Sequence, residues 1–230
     1  MKQNREIKVE DLTSSPTCGK PLVMGSTVFN EDCMTVMARY PDKFFDLAIC
    51  DPPYGIGVGI FKPVGGRGEE NRDDKQWDIS IPDANYFKEL ERVSKEQIVW
   101  GANYFNCFNG NGGAIVWDKL QPLPDSSQCE IASYSRVKKV YKYTQRWTNF
   151  VNTKDTEHPT EKPIRLYDWL LKEFAKDGFK ILDTHCGSGA SRISCNKAGL
   201  EYVGCEIDKD YFAAQEARFK EFTSQLRLFG

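Results

Sequence analysis

The stretch FKILDTHCGSGASRISCNKAGLEYVGCEIDKD, residues 179–210, constrains the fold more than any other part of the chain. A short apolar run (179–184) breaks at Gly187 and Gly189, a helical pattern follows over 190–198, a second apolar run spans 201–207, and a long helix is expected from Asp208. Runs that are apolar throughout, rather than alternating, are the mark of strands buried on both faces, and a strand joined to the next through a helix pairs with it in parallel. The same rhythm occurs upstream. LVMGSTVF (22–29), FFDLAIC (44–50), QIVW (97–100) and GAIVWD (113–118) read as strands, with helices over 32–39, 83–94 and 164–174. The expected fold is α/β, a doubly wound, mostly parallel sheet with helices on both faces. At 230 residues, 40% of them hydrophobic, the chain holds enough apolar material for one sizeable core.

Composition removes several classes of function. The 31 Lys and Arg against 33 Asp and Glu give a net charge of −2, which argues against a protein that coats nucleic acid by bulk charge. Mean hydropathy is −0.55, no apolar run is long enough to span a membrane, and MKQNREIKVEDL has no secretory pattern, so a cytoplasmic protein is expected. None of the eight cysteines forms a C-x-x-C pair and the two histidines, His158 and His185, have no ligand spacing, so no metal site is expected.

Organisation follows from shifts in composition. Residues 1–20 read as a polar tail, 21–118 as one half of the main domain and 158–230 as the other, with 119–157 as a small inserted piece of short strands. Residues 55–80, rich in glycine and charge, are long for a connection inside a compact domain, the kind of loop that serves as a lid or stays disordered.

Two segments carry chemistry. In ILDTHCGSGA, Asp183 closes a strand, and Gly187 and Gly189 let a ligand approach the backbone closely. Seventeen residues past Gly189, Glu206 ends the next strand, where a carboxylate can accept from a ribose diol. The turn is not a full G-x-G-x-x-G and no Walker lysine follows it. A nucleoside with a cationic tail, such as S-adenosylmethionine, fits better than a phosphate, and a plain strand-helix turn with a solvated Glu206 is the alternative. The second segment, Asp51-Pro52-Pro53-Tyr54, directly follows FFDLAIC. Its prolines fix φ, lack N–H groups and leave carbonyls free to accept. Asp51 and the Pro52 carbonyl could take the two hydrogens of an exocyclic amine on a nucleobase and aim its lone pair at a methyl donor, with Asp51 receiving the proton. The Tyr54 ring offers a face on which an unstacked base can lie.

Taken in order, Asp51-Pro52-Pro53-Tyr54, HPTEKP (158–163), DTHCGSGA (183–190) and CEID (205–208) resemble the amino-directed DNA methyltransferases, the N6-adenine and N4-cytosine family. Placing the catalytic motif before the cofactor motif is similar to the permuted β subgroup, and NEDC (30–33), WGANYF (100–105), GAIVWDK (113–119) and CEIASYS (129–135) extend the likeness. The resemblance implies a circularly permuted Rossmann-like methyltransferase with a small inserted recognition region, methylating N6 of a flipped adenine in DNA. N4 of cytosine is the alternative, since Ser more often opens the motif in cytosine enzymes. RNA or protein-amide methylation is a further one, and a non-catalytic relative would show eroded motifs. It also implies that Asp183, Cys186, Gly187 and Gly189 line the S-adenosylmethionine pocket, that Glu206 holds the ribose, that Asp32 and Cys33 lie at the cofactor adenine, and that Thr160 and Lys162 lie near the methionine end. Asp32 reads equally as a helix cap. Asp183-Thr184-His185 departs from the more usual Asp-Pro-Phe, which leaves the role of His185 open.

DNA contact is expected from Arg136, Lys138, Lys139, Lys142 and Arg146, interleaved with Tyr134, Tyr141, Tyr143 and Trp147, with a solvated strand over an apolar underside as the alternative. Lys62, Arg67 and Arg72 are weaker candidates. A recognition piece this small implies a short target or a homodimer, and the family implies a cognate restriction nuclease as a candidate partner.

Overall fold

The computed structural model describes residues 25–56, 80–108, 112–120, 127–136, 138–146 and 161–226. The tail, most of the 55–80 loop with Lys62, Arg67 and Arg72, and Trp147, His158 and Thr160 lie outside the described residues.

Fourteen elements are described in chain order. They are β1 (Ser26–Phe29), α1 (Cys33–Met37), β2 (Phe45–Cys50), α2 (Ala84–Val93), β3 (Ser94–Trp100), α3 (Ala102–Phe105), β4 (Ala114–Asp118), β5 (Cys129–Tyr134), β6 (Val140–Thr144), α4 (Ile164–Phe174), β7 (Lys180–Asp183), α5 (Ala190–Lys197), β8 (Glu201–Cys205) and α6 (Lys209–Leu226). The eight strands form one sheet in the order β1-β8-β7-β2-β3-β5-β4-β6. Every neighbouring pair is parallel except those made by β5, which runs antiparallel to both β3 and β4. Seven strands therefore point the same way.

Side-chain alternation along the central strands feeds two cores. Leu47, Ile49, Ile98, Trp100 and Ile181 face α4 through Leu166, Leu170 and Phe174. Ala48, Cys50, Val99 and Leu182 face α1 and α2 through Val36, Met37, Tyr86 and Leu90. Helices on both faces explain why these strands read as unbroken apolar runs. Asp83 caps α2, accepting from the amides of Asn85 and Tyr86. At its other end α2 passes straight into β3 at Ser94, so this strand begins before the apolar residues that advertised it.

Within the stretch expected as an inserted piece, 119–157, the described residues join the main sheet. They supply β5, wedged between β3 and β4, and β6, the strand at the sheet edge. β6 looks weak in sequence because it lies at the edge and alternates rather than running apolar. In β6, Tyr141 and Tyr143 turn inward while Val140, Lys142 and Thr144 face solvent.

The chain leaves β7 for β8 on one side and leaves β2 for β3 on the other. The crevice between the ends of β7 and β2 is thus the topological switch point, where open α/β sheets bind ligands.

Candidate active site

β2 lies between β7 and β3, in register Leu47↔Ile181 and Ala48↔Leu182 with β7. Asp51 and the turn after Asp183 therefore emerge side by side at the sheet's C-terminal edge, although the two motifs are far apart in the chain. Pro52 is buried behind Asp51. The Tyr54 hydroxyl donates to Asp51 Oδ1 at 2.6 Å. Its ring stacks on Tyr104 with centroids 5.0 Å apart and planes 18° from parallel, and it meets Phe105 edge-on at 5.9 Å. The short helix α3 delivers both partners, and it can start so soon after β3 because Gly101 takes φ +76° and has no side chain to strike the Tyr54 ring.

Around Asp51 is a buried charge cluster. The Lys162 ammonium, its side chain 3% exposed, pairs with Asp51 Oδ2 and with Glu130 at 3.0 Å, and also donates to the Tyr54 hydroxyl at 3.1 Å. Glu130 is paired again with Lys119 at 2.6 Å and accepts from Tyr54 at 3.3 Å. Lys162 lies over the Trp100 ring and Lys119 over Trp117, contacts that favour a desolvated cation. Two ammoniums face two carboxylates, the balance that buried charge requires. Burial would raise Glu130, but Lys162 and Lys119 outweigh it and hold its carboxyl down at about 2. Burial raises Asp51 above the ordinary carboxylate range, with Lys162 opposing and Glu130 adding to the rise. Asp51 is therefore the more basic of the two acids.

On the β7 side, the turn spends its amides internally. His185 N donates to Asp183 Oδ1, Cys186 N to the Cys205 carbonyl, Gly187 N to Glu206 Oε2 at 3.0 Å and Gly189 N to the Cys186 carbonyl. A phosphate would need those donors, so the turn is no phosphate cradle. Glu206 Oε1 accepts from the Asp208 amide at 2.9 Å, which leaves further lone pairs on both oxygens of a carboxylate now held rigid. Burial raises its pKa.

Asp183 is buried, bonded to Ser191 at 2.6 Å and to Tyr202, and desolvation pushes it up to about 7. Its carboxylate braces the turn from behind. The departure from Asp-Pro-Phe has a structural counterpart, since the Thr184 hydroxyl bridges Tyr86 of α2 at 2.7 Å and His185 Nδ1 at 2.9 Å. Burial lowers His185 to about 4, with Asp32 opposing. Asp32 caps α1, its Oδ1 accepting from Met34 and Thr35 amides, and the thiol of buried Cys33 is pushed up to about 12 by burial.

Several expectations change. The ammonium of Lys162, expected at the methionine end of a cofactor, is held by Asp51 and Glu130. Arg136 pairs with Glu96 near the start of β3, and the Lys139 carbonyl receives the Ala114 amide at the start of β4. Ala114 pairs with both Val140 and Ser133, Ser133 with Val99, and Val99 with Cys50, so Lys139 lies about two residues, ~7 Å, from the level of Asp51 along the strands, on the far side of the sheet's width. Lys142 pairs with Asp118 at 2.8 Å. Arg146, just past the end of β6, is exposed. The tyrosines expected among them pack inward, Tyr143 stacking on Trp169 and both Tyr134 and Tyr141 meeting Phe174. Glu130 and Lys119 escaped notice because a single acid or base in or just past a short strand looks solvated.

A doubly wound sheet with Asp-Pro-Pro-Tyr and a glycine turn at one switch point is the architecture of a Rossmann-like methyltransferase. Residues 102–217 match the model described as DNA methylase, and the chain belongs to that N6/N4 DNA methylase family. It is similar to the putative methylase YubD of Escherichia coli (strain K12), 24% identical over 81% of this chain and 87% of that protein. It is also similar to the Type II methyltransferase M2.DpnII of Streptococcus pneumoniae, 22% identical over 83% and 88%. Among solved structures, the M1.HpyAVI–SAM complex superposes with a TM-score of 0.55 at 16% identity, covering 83% of this chain and 98% of that one. The cytosine-N4-specific PvuII DNA methyltransferase gives 0.57 at 11%, covering 87% and 90%. These likenesses show the fold.

Proposed function

We propose that the chain transfers a methyl group from S-adenosylmethionine to the exocyclic N6 of an adenine extruded from DNA. What carries the reading is that Asp51 and the glycine turn leave adjacent strands at one edge, with a basic carboxylate on one and a phosphate-excluding, acceptor-rich pocket on the other. The residues present fit this cofactor. Glu206 has lone pairs for a diol, Asp32 keeps its second carboxylate oxygen for an amine, Gly187, Gly189, Cys33 and Cys186 form close walls, and the neighbouring carboxylates suit a positive charge. When bound, S-adenosylmethionine supplies an electrophilic methyl on a cationic sulfur. Thr160, next to the described Glu161 and Lys162, keeps its proposed place at the methionine end.

Asp51 accepts one hydrogen of the target amine and the Pro52 carbonyl the other, which turns the nitrogen lone pair outward. Asp51 then takes the proton released as nitrogen gains its fourth bond. Its oxygens already accept from Tyr54 and Lys162, yet each carboxylate oxygen has a second lone pair for the amine. A base stacked in a duplex cannot reach this edge, so it must be extruded. Adenine is favoured because the motif opens with Asp, whereas cytosine-N4 enzymes more often open it with Ser. Duplex contact is proposed at the same edge, with Arg146 contributing.

The test is methyl transfer from labelled S-adenosylmethionine to duplexes carrying adenine or cytosine as the only methylatable base. Transfer to adenine alone is expected, and loss of transfer in Asp51→Ala with cofactor affinity intact. Transfer to cytosine would overturn the adenine assignment, and loss of cofactor binding in Asp51→Ala would overturn the role of Asp51.

A further inference from the structure

We propose that Glu130 is a positioning residue for methyl transfer, anchored by Lys119 and sharing the charge of Lys162 with Asp51, so that this carboxylate is fixed in place and still free to take the proton of the target amine. The inference rests on the reading of Asp51 given above and assigns a residue on a different strand.

The geometry carries it. Glu130 Oε1 is bound by Lys119 at 2.6 Å, while Oε2 receives Lys162 at 3.0 Å and the Tyr54 hydroxyl at 3.3 Å. Both cations and the phenol that touch Asp51 or its neighbours thus also touch Glu130 or are anchored by it. Stability alone is a poor reason for such a cluster, because replacing buried ion pairs by apolar side chains of similar volume is often neutral or stabilising. Glu130 stands opposite Trp117 in the β4–β5 pairing, a position where an apolar side chain would pack without desolvating charge.

The groups facing Asp51 come from four elements. Lys162 precedes α4, Tyr54 follows β2, Glu130 lies on β5, and Asp183 of β7 and Tyr167 of α4 interact with it electrostatically. Among the described residues, removing Glu130 leaves Lys162 one paired counter-charge, Asp51. The charge of the ammonium, no longer shared with Glu130, would then fall on Asp51, turn it into a weaker base and compete with the amine for its lone pairs.

The experiment is the pH dependence of the single-turnover transfer rate for the full chain, its Glu130→Gln and Glu130→Asp variants, each checked by S-adenosylmethionine titration. Loss of one charge within 4–6 Å is expected to move the acid limb of Glu130→Gln down by about one pH unit. The plateau rate should fall by about tenfold, less than the roughly 10²–10⁴-fold that loss of the proton acceptor itself would cost. Glu130→Asp, which keeps the charge on a shorter arm, should move both in the same direction by less, and cofactor affinity should stay within about twofold, as for a residue outside the cofactor pocket. A Glu130→Gln variant with the unmodified limb overturns the proposal, even if slower, because a merely structural role lowers the rate without moving the limb. Should Glu130→Gln not fold, a Glu130→Asp variant matching the unmodified protein in rate and limb overturns it. An unmodified protein that methylates no duplex overturns this inference and its parent together, whereas an active one with Glu130→Gln unmoved overturns only this one.

Discussion

Gly101 is the most exacting position at the active edge. Its φ of +76° lies in the left-handed region, and a Cβ there would come within 2.4 Å of Tyr54 Cε1, 2.6 Å of Cδ1 and 3.0 Å of Phe105 Cε2. None of these is the loose end of a flexible chain. The Tyr54 ring is clamped by stacking on Tyr104 and by its hydroxyl's bonds to Asp51 and Lys162. Left-handed backbone costs an ordinary residue about 1–2 kcal/mol. Forcing a methyl into a filled site adds about 1–3 kcal/mol. Gly101→Ala should therefore lose about 2–5 kcal/mol, a fall in Tm of roughly 5–15 °C for a chain of this length. If the Tyr54 ring tilts instead, part of that cost is relieved at the expense of the 2.6 Å bond to Asp51, and methyl transfer falls while cofactor titration is unchanged, since the glycine turn stands on another strand. Thermal melting and single-turnover transfer on the same preparation read both outcomes. A Gly101→Ala protein melting within about 2 °C of the parent, less than 1 kcal/mol would produce, and transferring at the parent rate would refute the reasoning.

The remaining predictions concern the turn and the duplex. Asp183, raised to about 7, contributes stability that is present below its unfolded value and lost as pH climbs toward 7, while His185, lowered to about 4, contributes stability that is present above its unfolded value and lost as pH falls toward 4. Between about pH 4 and 6.5 the two slopes oppose each other. His185→Gln should lose stability relative to the parent as pH rises through that window and Asp183→Asn should gain it, measured by denaturant unfolding. Curves parallel to the parent would dismiss both assignments. Arg146→Gln should make log affinity for DNA less steep in log salt by about one. An unchanged slope would remove Arg146 from the DNA contact.

Asp51 and Gly187 were legible as partners because each directly follows a strand apolar throughout, and such strands run parallel in a sheet with their C-terminal ends at the ligand edge. The capping role of Asp32 was legible too, since a cap depends on residues two and three positions on. The basic residues 136–146 look in sequence like free cations along a strand, but other strands supply partners: Arg136 pairs with Glu96 of β3 and Lys142 with Asp118 of β4.

By itself the sequence determined the kinds of element, the doubly wound class and the two motifs, because these depend on hydrophobic period and on residues adjacent in the chain. Only the tertiary structure decided that β5 enters the sheet antiparallel between β3 and β4 and so carries Glu130 to Lys162 and Tyr54. Pairing between distant strands is fixed by how the whole sheet buries its two faces, and no local pattern in CEIASYS contains that information.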